Sequence, residues 1–301
     1  MKILVAGAGV LGTRLIRVFL GRDLAVVALA LNSREFQGLE HHRLRAVACD
    51  VTNPEQLEGL CRGVDAVVSC IGITRLKGKL THMDVDYRGN LNLLREAERS
   101  GVRKFAIVSP EGVDEGADTV PLLEARRLFE QELRKSPVGW LVFHAGGFFT
   151  DLAEMGRMAE KGSLFVIGHG KNVFTPIAVE DLAEIVADDV LARSKEVIHV
   201  GGPEDMSWNE ICEVCFANYG KTPRILRVPV WLCRLTLWMI KPFSKPYHAM
   251  APQKTATRKS TLTRVQCFHC LGKNTSSAST AMWVPLRIAM IAPTKVTPIS
   301  R

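Results

Sequence analysis

The sequence predicts an α/β protein built on a doubly wound parallel sheet, followed by a smaller α/β lobe. Two observations predict it. Apolar strand-like runs alternate with amphipathic helix-like runs over residues 2–143, at the length of βαβ units. A glycine-rich turn, Gly7-Ala8-Gly9-Val10-Leu11-Gly12, stands where the first strand meets the first helix.

The elements follow in order. Lys2–Ala6 reads as a buried strand, residues 10–20 as a helix and Ala25–Ala30 as a second strand. Residues 45–49 read as the third strand, and 54–61 as a short helix with Pro54 in its first turn. Residues 65–69 make the fourth strand. Residues 84–99 predict one long helix, with Leu91, Leu94 and Ala97 on a single face. A strand over 104–108, a helix over 122–134 and a strand over 139–143 complete a first domain, 1–145. From Gly146 short strands (Leu164–Ile167 and 197–200) mix with helices (179–191 and Trp208–Asn218). This texture predicts a smaller substrate or partner lobe over 146–248. Residues 228–243 are apolar and Trp-rich. Packing on their own domain is the expected use, with membrane-surface contact as the alternative. After Ala249 acids and periodicity vanish, so 249–301 is expected to be a disordered or anomalous basic tail.

The net charge of +8 belongs to this C-terminal part. Glu213 is the last acidic residue, and the residues after it are rich in Lys and Arg. A solvated basic tail accounts for that pattern, so nucleic acid is not an expected partner. A small-molecule substrate or a protein partner is. The 8 cysteines are scattered and suggest no disulfide framework. Cys212 and Cys215 form one C-x-x-C pair and Cys267 and Cys270 another, too far apart for a zinc ribbon. They read as core thiols, and no metal is expected. No apolar run reaches the roughly 18 residues a spanning helix needs. No charged-then-apolar leader precedes the first strand. A cytoplasmic protein is therefore expected.

The glycine turn carries the first chemistry. Gly7 permits a sharp turn, Gly9 lets a pyrophosphate approach the backbone, and Gly12 lets helix pack close on sheet. The backbone N–H groups of Val10 and Leu11 open the helix, at its positive dipole end. An acidic residue at the end of the second strand would bind a ribose 2′-hydroxyl. Here that strand end reads Asn32-Ser33-Arg34, and the first carboxylate is Glu35. Arg34 can fork two N–H groups onto a 2′-phosphate, with Ser33 adding a hydroxyl and Arg14 assisting. NADP(H) is thus expected over NAD(H).

Further stretches extend the match: Asp50-Val51-Thr52, residues 63–72, residues 86–94, residues 101–109, residues 174–183 and residues 199–204. Together they resemble the atypical, extended-like short-chain dehydrogenase/reductases. The group most resembled is the NAD(P)H-binding one related to NmrA regulators and to the nucleotide-binding accessory subunit of respiratory complex I. The resemblance spans residues 1–248. It implies a Rossmann-like fold, with Asp50 and Val51 lining an adenine pocket and Cys70, Ile71 and Gly72 beside the cofactor ribose. Ser109 matches the position that often bears the catalytic serine.

One departure matters. The superfamily's proton donor is a Tyr four residues before a Lys, and that register falls on Leu122 and Arg126. Leucine has no proton to give, and arginine stays charged near neutral pH. Arg126 is expected to hold ribose hydroxyls and, with Ser109, to polarise a reacting oxygen. His144, at the end of the sixth strand, is a further candidate proton donor, with His82 and Tyr87 behind it. The expected function is hydride transfer between NADP(H) and a small organic substrate. The alternative is a sensor or assembly protein that binds NAD(P)H without turnover.

Overall fold

The computed structural model describes residues 1–73, 80–233, 235 and 263–264. The main sheet runs β3-β2-β1-β4-β5-β6-β9, all parallel. Its strands are β1 (Lys2–Ala6), β2 (Ala25–Ala30), β3 (Leu44–Ala48), β4 (Ala66–Ser69), β5 (Lys104–Pro110), β6 (Gly139–Ala145) and β9 (Glu196–Gly201). Thr263–Arg264 add a short strand beyond β9. Ile3 through Ala6 and Ala66 through Ser69 are buried throughout, as strands covered on both faces must be. The strand order reverses between β1 and β4, so their carboxyl ends flank the crevice where such sheets take ligands.

Helices cover the sheet: α1 (Val10–Gly21), α2 (Asn90–Arg99), α3 (Val113–Gly116), α4 (Pro121–Lys135) and α6 (Val179–Ala192). α1 buries Leu11, Leu15, Ile16 and Phe19 and packs against α6. Two segments differ from expectation. Residues 54–61 give only a 3-10 turn, Pro54–Leu57, held by Asn53 Oδ1 accepting from the Glu55 N–H at 3.1 Å. The helix expected over 84–99 divides into a π-helical segment, Met83–Gly89, and α2. Asn90 Nδ2 donates to the Asp86 carbonyl at 2.9 Å, the acceptor that an α-helix would give to Asn90's own N–H.

The chain divides into two compact units. One holds Met1–Ala145, Val179–Val200 and, of the later residues, Thr263 and Arg264. Residues 179–200, expected in the smaller lobe, therefore belong to the main sheet, because β9 pairs with β6 from Leu141↔Glu196 to Ala145↔Val200. The second unit holds Gly146–Ala178 and, of the described residues that follow, 201–233 and 235. In it β7 (Leu164–Ile167) pairs in parallel with β11 (Ile225–Val228), and β8 (Val173–Phe174) pairs antiparallel with β10 (Met206–Ser207). Its core joins Leu164, Val166 and Met206 to Leu152, to Ala159 of α5 (Ala153–Glu160), and to Ile211, Cys212, Cys215 and Phe216 of α7 (Trp208–Asn218). Burial pushes the Cys212 and Cys215 thiols up to about 11, which keeps them protonated and unreactive near neutral pH. Of residues 228–243, 234 and 236–243 lie outside the described residues. Among the rest, Val228 pairs with Ile167 and Val230 is half-buried, while Trp231, Leu232 and Leu235 are exposed. The tail, with Cys267 and Cys270, also lies outside the described residues, apart from the two-residue strand. No helix among the described residues is long and apolar enough to cross a membrane.

Asp65 ties three strands together at their amino ends. Its carboxylate accepts from the Lys2 N–H at 2.8 Å and from Arg103 at 2.6 Å. The Lys2 hydrogen bond is the largest influence; desolvation opposes it, and Arg103 adds to it, so the pKa lies below the usual carboxylate value. A lowered folded pKa contributes stability that is present above the ordinary value and lost as pH falls through the folded one. Solvent screening keeps the contribution small. Asp65→Asn is expected to cost about 1 kcal/mol at neutral pH, with the gap to the parent closing as pH falls below about 4. Urea unfolding of both proteins across that range checks the sign.

Candidate cofactor site

The glycine turn is built by contacts that only glycine permits. Gly7 has φ +95°, and a Cβ there would press on the Cys70 carbonyl group at 3.0 Å. A Cβ on Gly12 would collide with the Gly7 carbonyl oxygen. Gly9 is different: it caps α1 with φ −71°, and a Cβ there would meet nothing within 4 Å. The space above Gly9 is open. α1 has no side-chain cap and no acidic residue in its first turn. The N–H groups at Val10 and Leu11 are thus left for an anion. Leu11's side chain is buried in the core, so only its backbone serves here. This open cradle fits a pyrophosphate.

At the end of β2, Ser33–Phe36 forms a 3-10 turn capped by Asn32. Glu35 Oε1 accepts from the Asn32 N–H at 3.2 Å, which turns the first available carboxylate back onto its own loop. Ser33 and Arg34 are exposed, and Arg34 forms no ion pair among the described residues. Arg14 pairs with Glu180 at 2.9 Å and is engaged on its own helix face. Past β3, Asp50 Oδ1 accepts from Thr52 N at 2.9 Å and Thr52 Oγ1 at 2.7 Å, a turn that shapes the loop. Val51 lies against Gly89, where a Cβ would come within 2.9 Å of Val51 Cγ2.

Arg126 is enclosed at the ends of β4 and β5. Its side chain is 7% exposed and lies 2.9 Å from Asp86 Oδ1. Nη2 donates to the Ile71 carbonyl at 2.6 Å and Nη1 to the Val108 carbonyl at 3.4 Å. Asp86, wholly buried, also meets His82 Nδ1 at 3.0 Å. A guanidinium committed to a carboxylate and two carbonyls is a poor oxyanion ligand. Arg126 is a positioning residue that fixes the backbone after β4. Gly72 belongs to the same arrangement, since a Cβ there would strike the Arg126 guanidinium. Cys70 sits between these groups and the glycine turn, its thiol pushed up to about 12 by burial despite the Arg126 charge. His82 serves the ion pair, and Tyr87 packs against the core.

Ser109, His144 and His199 are register neighbours on β5, β6 and β9, near the carboxyl edge of the sheet. His144 Nε2 lies 3.1 Å from both carboxylate oxygens of Glu130, which projects from α4 and is also paired with Arg134. His199 Nδ1 lies 3.1 Å from both oxygens of Glu111, just past β5. The two imidazoles meet edge to face at 5.1 Å between centroids. Desolvation opposes charge on His144, but Glu130 foremost, then Glu111 and Asp114, outweigh it and raise its pKa. Desolvation likewise opposes charge on Glu130; His144 overcomes it, with help from the Ser109 hydroxyl and Arg134, and the pKa is lowered. Ser109 Oγ is buried and makes no hydrogen bond of good geometry. Glu111, Glu130 and His199 were not singled out from the sequence. Strand register brings Glu111 and His199 to His144 and the packing of α4 brings Glu130, and no local motif signals it.

A family model described as NAD(P)H-binding matches residues 7–191. The chain belongs to this NAD(P)H-binding family, of the atypical short-chain dehydrogenase/reductase type. Among curated relatives it is 26% identical over 255 residues to the photosystem II assembly factor Ycf39 of Synechocystis, covering 83% of this chain and 77% of that protein. It is 28% identical over 272 residues to a divinyl chlorophyllide a 8-vinyl-reductase of Arabidopsis thaliana, covering 81% of this chain and 64% of that one. Among solved structures, an Escherichia coli NADPH-dependent quinone oxidoreductase complexed with NADPH superposes with a TM-score of 0.68 at 16% identity, over 83% of this chain and 86% of that one. A Thermus thermophilus UDP-glucose 4-epimerase complexed with NAD gives 0.64 at 20%, over 76% and 86%. These two structures share the fold.

Two substitution sets probe the site. Gly9→Ala is expected to fold with parent stability yet lose nicotinamide nucleotide affinity, because the methyl enters open space above the cradle. Gly12→Ala is expected to lose stability as well, by about 1–3 kcal/mol. Thermal unfolding beside nucleotide titration separates them. Arg126→Met leaves the buried Asp86 with His82 as its one remaining side-chain partner among the described residues and should cost about 3–5 kcal/mol. Adding Asp86→Asn should return part of that loss, which denaturant unfolding of the single and double variants measures.

Proposed function

We propose that the protein is an NADP(H)-dependent oxidoreductase that passes hydride between nicotinamide and a small organic substrate. The observation that carries the reading is the pairing of an open glycine cradle with a cation beside it. Gly9 faces open space, while Ser33 and Arg34 are exposed at the end of β2 and Glu35 is turned away. When bound, the nicotinamide supplies the hydride chemistry. The N–H groups at Val10 and Leu11 hold the pyrophosphate, Arg34 and Ser33 the 2′-phosphate, and the 70–72 backbone, braced by Arg126, the ribose side. Relatives named as reductases support the activity. Cytoplasmic placement belongs to the same reading, although those plant relatives are named as chloroplastic.

A second reading is favoured by one specific feature. The residue in the usual tyrosine register is Leu122, and Arg126 is consumed in a buried ion pair. A protein that binds NADP(H) as a signal or during assembly, with a protein partner, needs no proton donor there. A relative named as an assembly factor supports this alternative.

Nicotinamide fluorescence on titrating NADPH and NADH tests the cofactor reading. NADPH should bind more tightly, and Arg34→Ala should weaken NADPH by about tenfold or more while leaving NADH unchanged. Equal binding of both nucleotides, with no effect of Arg34→Ala, removes the 2′-phosphate assignment. Steady NADPH oxidation with an electron acceptor separates the enzyme from the non-catalytic binder.

A further inference from the structure

We propose that Glu111, His144 and His199 form a binding site for a divalent cation of the zinc class. One ligand atom from each residue lies within 4.8 Å of the other two. The donor set is two imidazoles and one carboxylate, which suits a borderline cation and leaves coordination positions open. The three residues come from adjacent parts of one sheet. His144 and His199 are register partners on β6 and β9, and Glu111 follows β5, with its N–H donating to the Ala145 carbonyl at 2.9 Å. A hydrogen-bonded sheet is a stiff frame for a preformed site.

The arrangement around His144 points the same way. Its Nε2 is held by the carboxylate of Glu130 at 3.1 Å, and Glu130 is buried and fixed in turn by Arg134 at 3.0 Å. A carboxylate gripping one ring nitrogen sets the tautomer and turns the other nitrogen, here Nδ1, into a ligand. His199 Nδ1 is already 3.1 Å from the Glu111 oxygens. Two donors bound to one tetrahedral zinc are separated by about 3.4 Å, close to the spacing of this pair, and the His144 ligand atom lies within 4.8 Å of both. A cation would take the His199 Nδ1 lone pair and a Glu111 oxygen in place of their mutual contact. The side chains of His199 and Glu111 are 32% and 37% exposed, which gives the ion a route from solvent. The inference does not rest on the oxidoreductase reading, and its test uses no nucleotide.

The test is cobalt and zinc binding by the full-length chain, purified without a histidine tag, chelator-treated and dialysed. One Co²⁺ per chain is expected, with visible d–d bands, no thiolate charge-transfer band, and displacement by Zn²⁺. Both metals should raise the unfolding temperature. His199→Ala and Glu111→Gln alter partly exposed side chains and should keep the fold, checked by circular dichroism. Each should weaken the metal by at least about tenfold and abolish the thermal shift. The proposal is overturned by folded parent protein that binds neither metal. It is equally overturned by binding that persists unchanged in both variants, or by a thiolate band that disappears with Cys212→Ser.

Discussion

The ion pair between Asp86 and Arg126 is the constraint on which the ligand-binding edge depends. Four separated pieces of chain converge on it: the π-helical segment, α4, and the backbone at the ends of β4 and β5. Desolvating two charges is expensive, and the mutual attraction offsets that cost only when further hydrogen bonds complete the arrangement. Here His82, the Ile71 carbonyl and the Val108 carbonyl supply part of them, while Asp86 Oδ1 and Arg126 Nε make no hydrogen bond among the described residues. The consequence runs outward. Gly72 must lack a side chain because the guanidinium fills its Cβ position. The segment so placed includes Cys70, whose carbonyl group is what forces glycine at position 7. The cradle and the ion pair are therefore one mechanical unit, joined through residues 70–72.

Most of the main sheet was legible because its cause is local. A strand covered on both faces must be apolar throughout, and Lys2–Ala6 and Ala25–Ala30 have the bounds expected of them. The glycine turn was legible for the same reason, since strand, turn and helix follow one another in sequence. The errors came where tertiary contacts decide. Residues 84–99 have a helical apolar face, but Asn90's side chain takes a backbone acceptor and divides the helix. Residues 179–200 were grouped with the lobe by sequence position, whereas the pairing of β9 with β6 returns them to the sheet.

Site chemistry was harder to read than site architecture. Arg126 sat in the register of a catalytic lysine, and nothing nearby in sequence shows that Asp86, forty residues earlier, would claim it. His144 stood out as a polar residue closing an apolar strand. Its partners Glu111, Glu130 and His199 did not, because each looks like an ordinary surface or helix residue until three parallel crossovers bring them together. Parallel sheets hide such clusters as a rule: neighbours in space are separated by a whole helix in sequence.

Cofactor binding and proton transfer make different demands, and this chain meets them unequally. The cradle is made of backbone: glycine geometry, free N–H groups and a helix dipole, none of which needs a tuned pKa. Proton transfer needs a side chain whose pKa lies near the working pH and whose proton is free to move. Leu122 has none, and Arg126 is engaged with Asp86 and two backbone carbonyls. In the proposed oxidoreductase, hydride transfer would then favour an acceptor whose adduct is a stabilised anion, able to take its proton from water afterwards. An unactivated ketone makes the opposite demand, because its alkoxide forms only as a proton arrives. The histidine edge is the remaining place for such a group: His144 is held by Glu130 and His199 by Glu111 through one ring nitrogen each, and the other nitrogen of each ring makes neither contact.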